Sequence, residues 1–324
     1  MNRLWFAALA AGSMLYGAAA YPQQSEALQW LSRMYSGSQY LSYTGTFLYQ
    51  RGDHIETARI IRLVDADGIH ERLEALDGTP REIVRTNDEV ACYFPGSMTV
   101  KIDNRRETGP FPHLRSEHLD DIAAHYDVRM GPVDRIAGHA AQVIILTPRD
   151  DMRYGQRLWA ELDTGLLLKA KTFDEQGRPV EQFTFTELEI GGPIDRNAVK
   201  SRFAGQRKDW RVESSGMVEA DLGKLGWTLK QLPPGYRKVM ELKRRMGESF
   251  DVGHMVISDG LAAVSVFIEP LGPKAGQARL GAFRQGALNI YTRNVDNHLV
   301  TVVGDAPAVS VRRIADAVEH RPPR

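Results

Sequence analysis

The sequence predicts an α+β protein of two antiparallel units: a large curved sheet crossed by helices, then a small sheet backed by a helix. Three observations carry this. Apolar and polar residues alternate with a period of two from Tyr43 onward. Turn residues recur too closely to leave room for crossover helices, so neighbouring strands are expected to run antiparallel. Helical spacing is confined to one stretch near each end of the chain and one inside the first unit.

The chain starts with a positive end, Met1-Asn2-Arg3, an apolar run from Leu4 to Tyr16, and the small residues Gly17 to Ala20. This reads as a signal peptide, residues 1–20, cleaved after Ala20. A membrane anchor needs about twenty apolar residues, whereas Gly12 and Ser13 interrupt this run and Pro22 follows it. The remaining length suits two domains with real cores, the full chain holding 43% hydrophobic and 25% charged residues. One cysteine, Cys92, cannot form an intramolecular disulfide, so stability must come from burial. Its setting, VACYF, reads as a buried thiol.

In SEALQWLSRMY, Leu28, Leu31 and Tyr35 fall at helical spacing, with Ser25 as a cap and Gly37 as a stop. Tyr43, Gly45, Phe47 and Tyr49 then share one face of a strand. Arg51-Gly52-Asp53 follows at the point where that strand must reverse, and Gly52 supplies the positive φ of a tight hairpin. The tripeptide is therefore read as a bend rather than as an adhesion signal. Further turns at 65–68, 86–88, 95–97, 137–139, 163–165 and 175–177 divide a meander of roughly ten strands. SEHLDDIAAHYD, Ser116 to Asp127, interrupts it as a helix. The expected large domain spans 21–207.

Residues 208–226 lose periodicity and carry Glu213-Ser214-Ser215-Gly216, which predicts a connector. The expected small domain, 227–324, opens with LPPGYRKVMELKRR, a turn leading into a strand. Met255 to Ser258 and Leu261 to Glu269 read as a hairpin around a two-residue turn, Asp259-Gly260. Two more strands, Asn289 to Arg293 and His298 to Val303, precede the helix PAVSVRRIADAVE. Net charge is zero overall, yet residues 221–324 hold 15 Lys and Arg against 10 Asp and Glu. Arg237, Lys238, Lys243, Arg244 and Arg245 concentrate that excess. They suit either edge protection by cations or a docking surface for an acidic segment or a lipid phosphate.

No catalytic residue is assigned, because no Gly-x-Ser-x-Gly elbow, phosphate-binding glycine loop or His-Glu-x-x-His helix occurs. His118, Asp121 and His125 share one side of the internal helix but spread over two turns, which is wide for one ion. No metal or cofactor is expected. Asp120-Asp121 and Asp150-Asp151 read as surface charge. What remains is apolar surface: a curved sheet with aromatics on one face is a container for an acyl chain. Phe47, Tyr49, Leu166, Leu168, Phe183 and Phe185 are the candidates to line it. Periodicity alone fits a filled core equally well.

YTGTFLYQRGDHIETARI, HERLEALDGTPREIVR, CYFP, LPPGY, SDGLAAVSVFIEP and VVGDAP, taken in this order, resemble the RseB/MucB regulators of the envelope-stress sigma factor of Gram-negative bacteria. The likeness runs from about Tyr43 to Glu319. It implies a LolA-like unclosed β half-barrel followed by a partner-binding sheet-and-helix domain, a periplasmic location and no catalysis. The implied partner is the periplasmic part of a RseA/MucA-like anti-sigma factor, which such a protein shields from site-one proteolysis until lipopolysaccharide or lipid acyl chains release it. Self-association is also implied, and nucleic acid is not. A periplasmic lipid or lipoprotein carrier is the alternative; such a carrier has no evident use for LPPGY and SDGLAAVSVFIEP.

Overall fold

The computed structural model describes residues 20–104, 119–214, 216–246, 250–272 and 279–321. Residues 1–19 of the expected signal peptide, and His118, lie outside the described residues. Among the described residues no helix is long and apolar enough to cross a membrane.

The first unit is a sheet of twelve strands: β1 (Tyr43–Arg51), β2 (His54–Asp65), β3 (Gly68–Ala75), β4 (Glu82–Thr86), β5 (Glu89–Phe94), β6 (Thr99–Asn104), β7 (Tyr126–Ile136), β8 (His139–Pro148), β9 (Gly155–Glu161), β10 (Leu167–Phe173), β11 (Pro179–Ile190) and β12 (Arg211–Ser214). Its order is β12-β6-β5-β4-β3-β2-β1-β11-β10-β9-β8-β7, so hairpins build it outward on both sides of the β1–β11 pair. The end strands β12 and β7 do not pair, and the sheet is unclosed. β7 nevertheless touches β11 across the three strands between them. That end of the sheet therefore rolls up, helped by bulges in the β7–β8, β9–β10 and β1–β11 pairs.

Helix α1 (Ala20–Tyr40) and the short α2 (Leu119–His125) cover the rolled end. Ala27, Leu31 and Met34 recur at helical spacing and are buried against Ile122, Val128, Ile144, Leu158 and Ala170. Leu31 and Met34 each contribute about 1.5 to 3 kcal/mol by burial. α1 runs past Gly37, the expected stop, because Gly37 is a packing residue. A β-carbon there would lie 2.9 Å from the Thr164 carbonyl oxygen, and one on Gly165 would lie 2.9 Å from the Arg33 carbonyl oxygen.

The second unit holds β13 (Met217–Glu219), β15 (Arg237–Met246), β16 (Phe250–Ser258), β17 (Ala263–Pro270), β18 (Gly281–Gln285), β19 (Leu288–Val295) and β20 (His298–Gly304) in the order β13-β15-β16-β17-β20-β19-β18. Helix α3 (Ala308–Ala317) lies on β19 and β20. Val311, Ile314 and Ala315 meet Val264, Val266, Val300 and Val302 in its core. A small pair, β14 (Trp227–Leu229) with β21 (Val318–His320), ties the chain end back to the start of the domain.

Three expectations change. The stretch 208–226 is drawn into both units: β12 adds to β6 in parallel, which breaks the all-antiparallel rule, and β13 adds to β15. Short strands docked on existing edges carry too few residues for a visible period. The turn between β16 and β17 has four residues, not two. The Asp259 carboxylate accepts the Leu261 and Ala262 amides, at 3.0 and 2.9 Å, and so widens the loop. Asp121 and Asp150, read as surface charge, both pair with arginines, as described next.

Candidate functional site

The bend at Arg51-Gly52-Asp53 forms as expected, with Gly52 at φ +59° and its amide donating to the Val180 carbonyl at 3.0 Å. Arg51 is more than a turn residue. Its guanidinium binds the buried Glu181 on β11 at 2.8 Å.

Five of the six acyl-chain candidates come together. Phe47, Phe183 and Phe185 form a triangle with ring centroids 5.0, 5.1 and 6.0 Å apart. They share a cluster with Leu166, Leu168, Trp159 and Val143. Leu166, Leu168 and Phe185 are 3%, 0% and 4% exposed, so in this arrangement they fill the space, whereas Phe47 and Phe183 are half-buried. Tyr49 stands apart from the cluster, its hydroxyl donating to Glu181. A separate open cleft of about 530 Å³ lies between α1 and α2, lined by Gln24, Leu28, Ser32, Leu119 and Asp120.

The basic residues divide. Arg237 pairs with Asp121 of α2, and Lys238 with Glu241 of its own strand. Lys243 and Arg244 sit where β13 covers β15, opposite Val218 and Met217, with Arg244 exposed. Arg245 is the backbone register partner of Asp251. Pairing with β13 covers only part of β15, leaving Arg237 to Met240 on the open edge.

A dense polar arrangement lies between the two domains. Arg153, with its side chain wholly buried, forms ion pairs with Asp150 and, at 3.2 Å, with Asp259 of the other domain. It also donates to the Pro234 carbonyl. Tyr126 donates to Asp259 at 3.0 Å. The Met152 carbonyl accepts from Tyr236 at 2.9 Å and from Ser310 at 2.6 Å. Burial, with Asp259 beside both rings, pushes the Tyr126 and Tyr236 hydroxyls well above the usual tyrosine range, so both stay protonated donors. Burial, and then the Arg153 charge, lowers His125. Gly235 at φ +76° packs on the His125 ring so closely that a β-carbon would lie 2.3 Å from it.

Segments that sequence reading kept apart therefore converge. LPPGY brings Pro234, Gly235 and Tyr236 to the seam, SDGLA brings Asp259 and Leu261, and VVGDAP brings Ala306, whose carbonyl accepts from Asn289. Sequence offered no signal for Arg153, since a buried arginine reads like a surface one. The glycine and proline of LPPGY were visible only as a turn. Among the described residues no group of three metal-ligating side chains is present.

Comparison with known proteins covers both units. A family model described as the MucB/RseB N-terminal domain matches residues 26–203, and one described as the MucB/RseB C-terminal domain matches 221–319. The chain is 34% identical over 299 residues to the sigma factor AlgU regulatory protein MucB of Pseudomonas aeruginosa, covering 90% of each. It is 25% identical over 324 residues to the sigma-E factor regulatory protein RseB of Escherichia coli, covering 98% of each. A solved complex of Pseudomonas aeruginosa MucA and MucB matches with a TM-score of 0.70 at 30% identity, over 92% of this chain and 99% of that one. MucB in complex with MucA(peri) matches with a TM-score of 0.68 at 30% identity, over the same shares.

Proposed function

The chain belongs to the MucB/RseB family, and from that premise we propose that it regulates an envelope-stress sigma factor by binding the periplasmic part of a membrane-spanning anti-sigma factor. One observation carries this reading: both domains match in order, and the fold aligns with a relative solved together with such a partner. In this reading the protein works in the periplasm, performs no catalysis, and acts by occupying a segment that a site-one protease would otherwise cut. The exposed Arg244 on the basic strand gives an acidic partner segment a counterpart. Lipid acyl chains, or lipopolysaccharide, would act as the releasing signal through the Phe47–Phe183 side of the aromatic cluster, which is the part not wholly buried.

The experiment is calorimetric titration of the purified protein with the periplasmic fragment of its anti-sigma factor, followed by protease challenge of the fragment. Saturable binding and slowed cleavage are expected. Absence of both would overturn the reading, and acyl-chain binding without fragment binding would favour a lipid carrier instead.

A further inference from the structure

Ile144, Leu158 and Ala170 pack under α1. Their chain neighbours Ile145, Arg157 and Lys171 therefore leave the opposite face of the first sheet. Strand register continues that face as one row: Arg129, Ile145, Arg157, Lys171, Gln182 and Gln50 are successive partners on β7, β8, β9, β10, β11 and β1, and Ile55 ends the row on β2. With strands about 4.8 Å apart, the row is about 29 Å long. It holds three cations and no carboxylate. Lys169, two residues from Lys171, adds a fourth cation to the same face.

Arg157 and Lys171 are register partners on neighbouring strands, and like charges at such a position repel. Among the described residues neither they nor Lys169 forms an ion pair. Arg157 and Lys169 lie instead over the rings of Phe173 and Trp159, at 5.2 and 4.8 Å. Burial first, and then the Lys171 charge, holds the Lys169 ammonium below its usual value. Two carboxylates border the row, and both are engaged. Asp127 pairs with Arg129 at 3.1 Å, and Asp134 accepts from Trp159 Nε1 at 2.9 Å. An external anion on this face would relieve the repulsion among Arg157, Lys169 and Lys171.

We propose that this face docks on the anionic headgroups of a phospholipid bilayer, with the face covered by α1 turned away from the membrane. The occupant follows from the setting of the row. β9, β10, β11 and β1 are paired on both edges, so an acidic peptide finds no free backbone there to pair with. A headgroup layer needs only cations and hydrogen-bond donors spread over a surface. Gln182 and Gln50 carry the donors on beyond Lys171, and Ile55, 52% exposed, places an apolar side chain at the end of the row. Phe183 is the register partner of Ala170 and so lies on the α1 side of the sheet. Headgroup docking and acyl-chain binding are therefore separate events on opposite faces, and neither involves Arg244.

The test is co-sedimentation of the purified protein with vesicles, either of phosphatidylcholine alone or of phosphatidylcholine mixed with phosphatidylglycerol. Binding to the mixed vesicles only is expected, and it should weaken as salt shortens the Debye length. Changing Arg157, Lys169 and Lys171 together to Gln should weaken it about a hundredfold, at about fivefold for each cation. The same variant should bind the anti-sigma fragment as the unchanged protein does, so failure here is distinct from failure of the regulatory reading. Equal binding to both kinds of vesicle, or vesicle binding unchanged in the triple variant, would overturn the proposal. So would saturable binding of a poly-glutamate peptide, lost in the triple variant, without vesicle binding; that result assigns the face to an acidic protein. Where the triple variant does not fold, Arg157→Gln with Lys171→Gln should still weaken vesicle binding about 25-fold, and no change in that double variant would be equally decisive against the proposal.

Discussion

Met152 and Leu261 each lie in the hydrophobic core of the other's domain. Met152, 3% exposed, packs among Leu222, Trp227, Tyr236 and Ile257, whereas Leu261, 1% exposed, packs with Leu31, Tyr126 and Ile144. This exchange, with Arg153 beside it, joins the two sheets. Separating them would expose both side chains at once.

Leu261→Ala should therefore cost about 2 to 5 kcal/mol, and Met152→Ala a similar amount. Because both losses weaken the same seam, the double variant should cost less than the sum of the two. Urea unfolding followed by tryptophan fluorescence measures all three. Strict additivity would show that the plugs act independently.

Arg153→Met should destabilise by about 3 to 5 kcal/mol, since it leaves Asp259 buried without its charge partner. Adding Asp259→Leu should recover part of that loss, because the buried carboxylate left without a charge partner is then gone. A double variant no more stable than Arg153→Met would contradict the pairing.

On the basic strand, Arg244→Glu should weaken binding of the anti-sigma fragment and flatten its salt dependence, since the Debye length is only about 8 Å near physiological salt. Arg237→Glu should act differently. It places a second negative charge beside Asp121 and should loosen the domains before it touches any partner. Calorimetry across a salt series separates the two, and an unchanged dissociation constant for Arg244→Glu would leave that residue as edge protection.

For the aromatic cluster, Phe185→Asp should unfold the first domain, because it buries an unpaired charge among Tyr43, Phe47 and Phe183. Phe183→Ala, at a half-buried position, should keep the circular dichroism spectrum and weaken acyl-chain binding. Full acyl binding by a folded Phe183→Ala protein would place the lipid site elsewhere.

Backbone chemistry was the legible part. The turns at Gly52, Gly68, Asn87, Gly138, Gly165 and Gly177 adopt the positive φ their residues suggest, and the alternation between them shows up as strands. Helices α1, α2 and α3 follow apolar spacing, though α1 continues through Gly37 and α2 stops at His125, so that Tyr126, expected on its apolar face, opens β7 instead. The aromatic candidates converge because Phe47 and Phe185 are register partners on neighbouring strands. Tyr49 was misplaced, since alternation fixes a face but not which buried acid waits at its far end. β12 and β13 were missed because each borrows its hydrogen bonds from an edge already built.

By itself the sequence determined what depends on neighbours along the chain: two units, their strands and hairpins, the reversal at Arg51-Gly52-Asp53, and a basic stretch on one strand. Tertiary structure alone decided which charges are spent and which stay outside. Arg153 and Asp259 look like ordinary surface residues until the chain brings them together, because each is held in the interior by a partner from the other domain.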